Sequence, residues 1–99
     1  MSYGFGRLND MIHECGTWAD KTFNKATPSS ITEHLRREVA ELIDAPNDEE
    51  EAADCMLLLF HLAHKQGWNL EQAVVDKFAK NQSRQWGKPD TQGVVEHIR

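Results

Sequence analysis

An all-α bundle of four helices is the fold this sequence predicts, and three observations predict it. Apolar residues recur at three- and four-residue steps in four separate segments. Capping and turn residues stand between those segments. No alternating strand pattern of any length interrupts them, nor any internal repeat or low-complexity run. With 99 residues, the chain reads as one domain spanning 1–99, near the lower end of what can bury a comfortable core.

The first helix is expected over about 5–23, where Phe5, Leu8, Ile12, Cys15, Ala19 and Phe23 form one stripe and Trp18 and Thr22 lie beside it. Ala26-Thr27-Pro28-Ser29 reads as a loop. Ser30-Ile31-Thr32-Glu33 then reads as a capping box opening a second helix over about 30–44. Pro46, with Asp44 and Asn47, makes the next turn, and Asp48 followed by Glu51 caps a third helix over about 48–66. Gly67 is its stop. That helix is apolar nearly all round in its middle, from Met56 to Phe60, more than so short a chain can wrap, so a second subunit is expected against it. Asn69, with Gln72 three residues on, caps a fourth helix over about 70–85, and 87–99 reads as a tail.

The charge balance, 11 bases against 16 acids for a net of −5, argues against a general nucleic-acid-binding surface. The charges are also segregated. Nine acids fall between Glu33 and Asp54, whereas Lys77 to Lys88 holds four bases and no acid. That polarity suits a site for cations and a polyphosphate together. Residues 1–7 lack the apolar core of a signal peptide, and no stretch approaches a membrane span. Cys15 and Cys55 make no metal-ligand spacing with each other and read as buried free thiols of a cytoplasmic protein.

The chemistry is expected on the second and third helices. Glu38-x-x-Glu41 and Glu51-x-x-Asp54 are acidic pairs spaced i, i+3, so each pair shares a helix face. Glu51 and Asp54 fall on the face of Leu58, His61 and Leu62, while Glu38 borders the stripe of Leu35, Val39 and Leu42. Inward-facing carboxylates are costly unless paired or bound to metal. The same acids also fit a solvated first turn favoured by the helix dipole, and only the two pairs together, one tight turn apart, argue for a cation site. On the fourth helix Lys77, Lys80, Asn81 and Arg84 share a face, either as phosphate donors or as a solvated basic end.

Taken together, these segments resemble the MazG-like, all-α nucleoside triphosphate pyrophosphohydrolases. Glu38-x-x-Glu41 with Glu51-x-x-Asp54 resembles their metal signature. Lys77-x-x-Lys80-Asn81-x-x-Arg84-x-Trp86 is similar to their C-terminal phosphate-contacting segment, and Trp18-x-x-x-Thr22-Phe23 to the first helix of small members. The likeness covers about residues 8–88. It implies that a nucleoside triphosphate is cut to the monophosphate and pyrophosphate with Mg²⁺, for which Mn²⁺ can substitute. Glu38, Glu41, Glu51 and Asp54 would be the catalytic metal ligands. Lys77, Lys80, Asn81 and Arg84 would contact the substrate, with Trp18 stacking on the base and His61 within reach of it. A homodimer or homotetramer is implied, its site completed across subunits, with neither nucleic acid nor membrane as a partner. Small phage and bacterial members acting on dATP or dGTP look most similar. One departure stands out: Arg37 occupies the first place of the usual adjacent glutamate pair, which leaves the metal count and the general base open.

Trp18 fits a plain core tryptophan at least as well, and His61 fits a hydrogen-bonded interior histidine better than a substrate contact. Alternatives to a purine enzyme are a dUTP- or dCTP-directed member of the same superfamily and a non-catalytic helical oligomerisation module. A di-iron carboxylate bundle is disfavoured because no Glu is followed by His three residues later. His61 and His64 lack a third ligand at a fitting offset for zinc.

Overall fold

A computed structural model describes residues 7–99, so the N-terminal part of the expected first helix, with Phe5, lies outside the described residues. Four helices follow in order: α1 Leu8–Thr22, α2 Pro28–Asp44, α3 Glu49–Gln66 and α4 Leu70–Ser83. The all-α expectation holds. Helix α3 is the centre, packed on α2 along one side and on α1 along another, while α4 rests on α1.

Three helix starts carry the side-chain caps that satisfy otherwise orphaned backbone donors. Asp48 accepts from the Glu50 amide, and Asn69 accepts from the Gln72 amide, as expected for the latter. The start of α2 is a correction. Thr27, not Ser30, is the N-cap: Thr27 Oγ1 accepts from the Ser30 amide and Ser30 Oγ from the Thr27 amide. Pro28 then occupies the first helical position, where its fixed φ and missing N–H do no harm. Gly67 ends α3 at φ 68°, a left-handed conformation that a Cβ would strain.

The core is small. Ile12, Phe60 and Ala63 form its buried centre, with Leu8, Met11, Cys15 and Leu70 packed against it. Helices α1 and α3 approach closely because position 16 is glycine: a Cβ there would overlap the His64 ring. The start of α1 is tied to the start of α4, since the Asn9 amide donates to Glu71 Oε1 at 3.1 Å and Asn9 Nδ2 to Asn69 Oδ1 at 2.7 Å.

The segment after α4 is not a plain tail. Trp86 and His97 pair as an antiparallel bridge, flanked by Gly87 N–H donating to Glu96 O and Ile98 N–H to Gln85 O, both at 2.8 Å. Asp90 Oδ1 accepts from the Gln92 and Val94 amides, and Gly93 completes the turn at φ 81°. Trp86 also donates from Nε1 to Asn81 O at 2.9 Å, pinning this small hairpin to the end of α4.

Several large apolar side chains stay exposed, among them Val39, Ile43, Met56 and Leu59 on α2 and α3 and Val74, Val75 and Phe78 on α4. None of the helices among the described residues is long and apolar enough to cross a membrane.

Candidate active site

Helices α2 and α3 run side by side because only Ala45–Asp48 separates them, and this lays the two acidic pairs against each other. Glu38, Glu41 and Glu51 each bring a carboxylate oxygen within 4.8 Å of the others. Asp54 is not in that trio. It stands one turn further along α3 and shares with Glu38 the wall of a cleft of about 550 Å³.

The cluster has the electrostatics of a cation site. Glu38 Oε2 and Glu51 Oε2 are buried without a hydrogen-bond donor among the described residues. Desolvation first, and then the negative charges of Glu41, Asp48 and Asp54, push the Glu51 carboxyl above its ordinary range. Behind the cluster, burial and then the charges of Glu38, Asp54 and Glu51 push the Cys55 thiol up as well. One imidazole stands beside the cluster, for His34 Nε2 lies 3.3 Å from Glu38 Oε1. Such a concentration of oxygen donors fits one or more hard divalent cations.

The other end of the cleft is aromatic. Trp18 and Phe23 meet edge to face at 5.6 Å, and Phe23 lies 6.5 Å from the His61 ring; all three line the cleft. Trp18 is 60% exposed, so it is no core tryptophan. His61 is buried, with Nε2 2.9 Å from Asp20 Oδ1. Cys15, expected to be buried, is half-buried and faces the cleft; Cys55 is buried, and both thiols are free.

The basic face of α4 does not reach the cleft of its own chain. Neither Lys77, Lys80, Asn81 nor Arg84 lines it. They do form a patch, in which Arg84 donates to Asn81 Oδ1 at 3.3 Å and the Arg84 charge, with desolvation and Lys80, lowers the Lys77 pKa. Arg37 pairs with Glu33 through Nε at 3.0 Å.

Sequence reasoning passed over Asp20, Glu14 and His34. His34 had a signal in its place four residues before Glu38, one turn away on the same face. Asp20 had one too: an acid in the last turn of a helix opposes the helix dipole and calls for a reason.

The model of the dATP/dGTP pyrophosphohydrolase family matches residues 11–99. This chain belongs to that family. Among relatives, the dATP/dGTP diphosphohydrolase of Salmonella phage PMBT28 is 33% identical over 98 residues, covering 98% of this chain and 33% of that protein. The chain thus spans about a third of that relative's length. The dATP/dGTP diphosphohydrolase of Cyanophage S-2L is 31% identical over 87 residues, covering 86% of this chain and 82% of that protein. Among solved structures, the Cyanophage S-2L MazG-like pyrophosphohydrolase bound to dGDP and three catalytic Mn²⁺ ions per active site superposes with a TM-score of 0.81 at 27% identity, covering 94% of this chain and 98% of that one. The MazG-like resemblance of the chain is therefore borne out, and so is the family's four-helix fold.

Proposed function

We propose that this chain, as one domain, hydrolyses dATP and dGTP between the α- and β-phosphates, releasing the monophosphate and pyrophosphate with Mg²⁺ or Mn²⁺. The observation that carries this reading is the pair of buried, unanswered carboxylate oxygens of Glu38 and Glu51, with Glu38 also lining a nucleotide-sized cleft. The names of the phage relatives support the substrate class.

Glu38, Glu41, Glu51 and Asp54 are the metal ligands in this account. Divalent cations held there supply positive charge to the triphosphate oxygens and acidify water. Glu38 and Asp54, which reach the cleft, set where the reacting phosphate lies. Trp18 offers its indole to the base, and His61 contacts the base edge. Lys77, Lys80, Asn81 and Arg84 steady the phosphates from a partner copy in a homodimer or homotetramer. The exposed apolar residues on α2, α3 and α4 support that assembly, and the free thiols fit a cytoplasmic protein.

Calorimetric titration with Mn²⁺, paired with turnover of dGTP, tests the assignment. Wild-type protein binds the ion and turns over; Glu51→Gln and Glu38→Gln lose both together. Near-normal turnover of Glu38→Gln would sink the metal-site assignment.

A further inference from the structure

The last turns of α1 and α3 meet at a single carboxylate. Asp20 Oδ1 lies 2.9 Å from His61 Nε2 and 3.2 Å from Lys65 Nζ, and Asp20 Oδ2 lies 3.4 Å from His64 Nε2. Three nitrogen-bearing side chains from α3 thus converge on one acid, and the hydrogen bonds from His61 and Lys65 lower its pKa, which explains how a negative charge survives at the dipole-disfavoured end of α1. The crossing at Gly16 brings the helices close enough for this. Ionic tethering of two helices would need only Lys65. The histidine bond is different, because His61 is buried and lines the cleft.

The bond to Asp20 decides what the imidazole can offer. Ionised Asp20 is acceptor-only, so Nε2 must carry the proton. Lys65 Nζ lies against the same oxygen, at 3.2 Å. A ring whose single proton is on Nε2 has an unprotonated Nδ1, and the hydrogen bond that His61 makes to Asp20 is at Nε2. His61 lines the cleft beside Trp18 and Phe23, which offer only ring surface and an indole N–H.

We propose that Asp20 is a positioning residue that holds His61 in the Nε2–H tautomer, so that His61 Nδ1 accepts a hydrogen bond from an N–H on the purine edge. The inference rests on the nucleotide reading of the cleft. For adenine the donor is the 6-amino group; for guanine it is N1–H or the 2-amino group.

The test separates the base contact from the reaction. Binding is measured in Mn²⁺ for the α,β-methylene analogue of dATP, which cannot be cut at the proposed bond, and for its counterpart lacking the 6-amino group. Wild-type protein should prefer the amino-bearing nucleotide by about tenfold, as one hydrogen bond allows. Asp20→Asn should shrink that preference to about twofold or less, and Asp20→Glu should restore part of it. Imidazole ¹⁵N spectra of the free protein should show His61 with Nε2 protonated and Nδ1 bare in wild type, and mixed tautomers in Asp20→Asn. In turnover, Asp20→Asn should raise KM for dATP about tenfold with kcat within about threefold. Equal weakening of both analogues by Asp20→Asn, a protonated Nδ1 in the wild type, or no binding of either analogue overturns the inference. Binding with the expected preference but no cleavage of dATP would overturn the proposed reaction and leave the Asp20–His61 assignment standing.

Discussion

Glu38 on α2 and Glu51 on α3 face each other with one oxygen each, Oε2, buried and unanswered by any donor among the described residues. A fold gains nothing from such an arrangement by itself. Unpaired buried polar atoms and close like charges both destabilise. Their juxtaposition has to be offset by something that binds there.

Removing one of the charges should therefore help the metal-free protein while harming the enzyme. Glu51→Gln is expected to melt a few degrees higher than wild type in EDTA, and to gain nothing when Mn²⁺ is added. Wild type should gain about 2.7 kcal/mol at Mn²⁺ a hundredfold above its Kd. Turnover of Glu51→Gln should fall by about 100-fold or more. Thermal melts with and without Mn²⁺, alongside steady-state rates, check all three.

The raised Glu51 carboxyl sets a pH dependence with a definite sign. Its folded pKa lies above its ordinary value of 4.5, so between the two the native state binds more protons than the unfolded one. Metal-free stability from this group therefore falls as pH rises from 4.5 through the raised value, and recovers as pH is lowered. Cation affinity runs the other way, because binding must expel the proton. Mn²⁺ titrations at pH 5 to 8 should show affinity rising with pH, more steeply than in Glu51→Gln.

Glu33 gives the opposite case at the surface. Its hydrogen bonds to Arg36 and then Arg37 depress its carboxyl to about 2. A depressed carboxylate contributes stability that is present above its ordinary 4.5 and is lost as pH falls through about 2. The group is exposed and screened by solvent, so Glu33→Gln should leave the neutral-pH melting temperature nearly unchanged. Its effect should be on Arg37, freed from its anchor beside Glu38.

Gly16→Ala should destabilise by about 1–3 kcal/mol, since the new methyl meets the His64 ring in a packed helix crossing. The displaced His64 would also leave Asp20 Oδ2. Denaturant melts read the first effect.

If the basic face of α4 serves a neighbouring copy's cleft, inactive variants should rescue each other. Glu38→Gln and the double variant Lys77→Ala/Arg84→Ala, each nearly inactive alone, should regain up to about a quarter of wild-type activity when unfolded and refolded together, because mixed dimers carry one intact site. No rescue would place Lys77 and Arg84 outside the site.

Much of this was legible in the sequence because the determinants are local. Helix existence followed from apolar periodicity, and Gly67 and Asn69 marked the boundary of α3 and α4 through backbone demands that few other residues meet. The two acidic pairs could be set face to face because one short turn joins their helices. What escaped was non-local or competed with a near-equivalent signal. At the start of α2 both Thr27 and Ser30 offer a capping side chain, and Pro28 suits a loop as well as a first helical position, so the local pattern does not choose between them. The Trp86–His97 hairpin rests on a single bridged pair, too short to show as a strand pattern, although Asp90 and Gly93 signal the turn. Asp20 gathers three side chains at least 41 positions away, which no spacing rule reveals.

Product analysis tests the central claim most directly. With Mg²⁺ or Mn²⁺, each canonical NTP and dNTP is offered separately, and monophosphate, diphosphate, pyrophosphate and phosphate are resolved. The expected products are dAMP and dGMP with equimolar pyrophosphate from dATP and dGTP, abolished by EDTA and by Glu51→Gln. Diphosphate with free phosphate, or no product from either purine substrate, would contradict it.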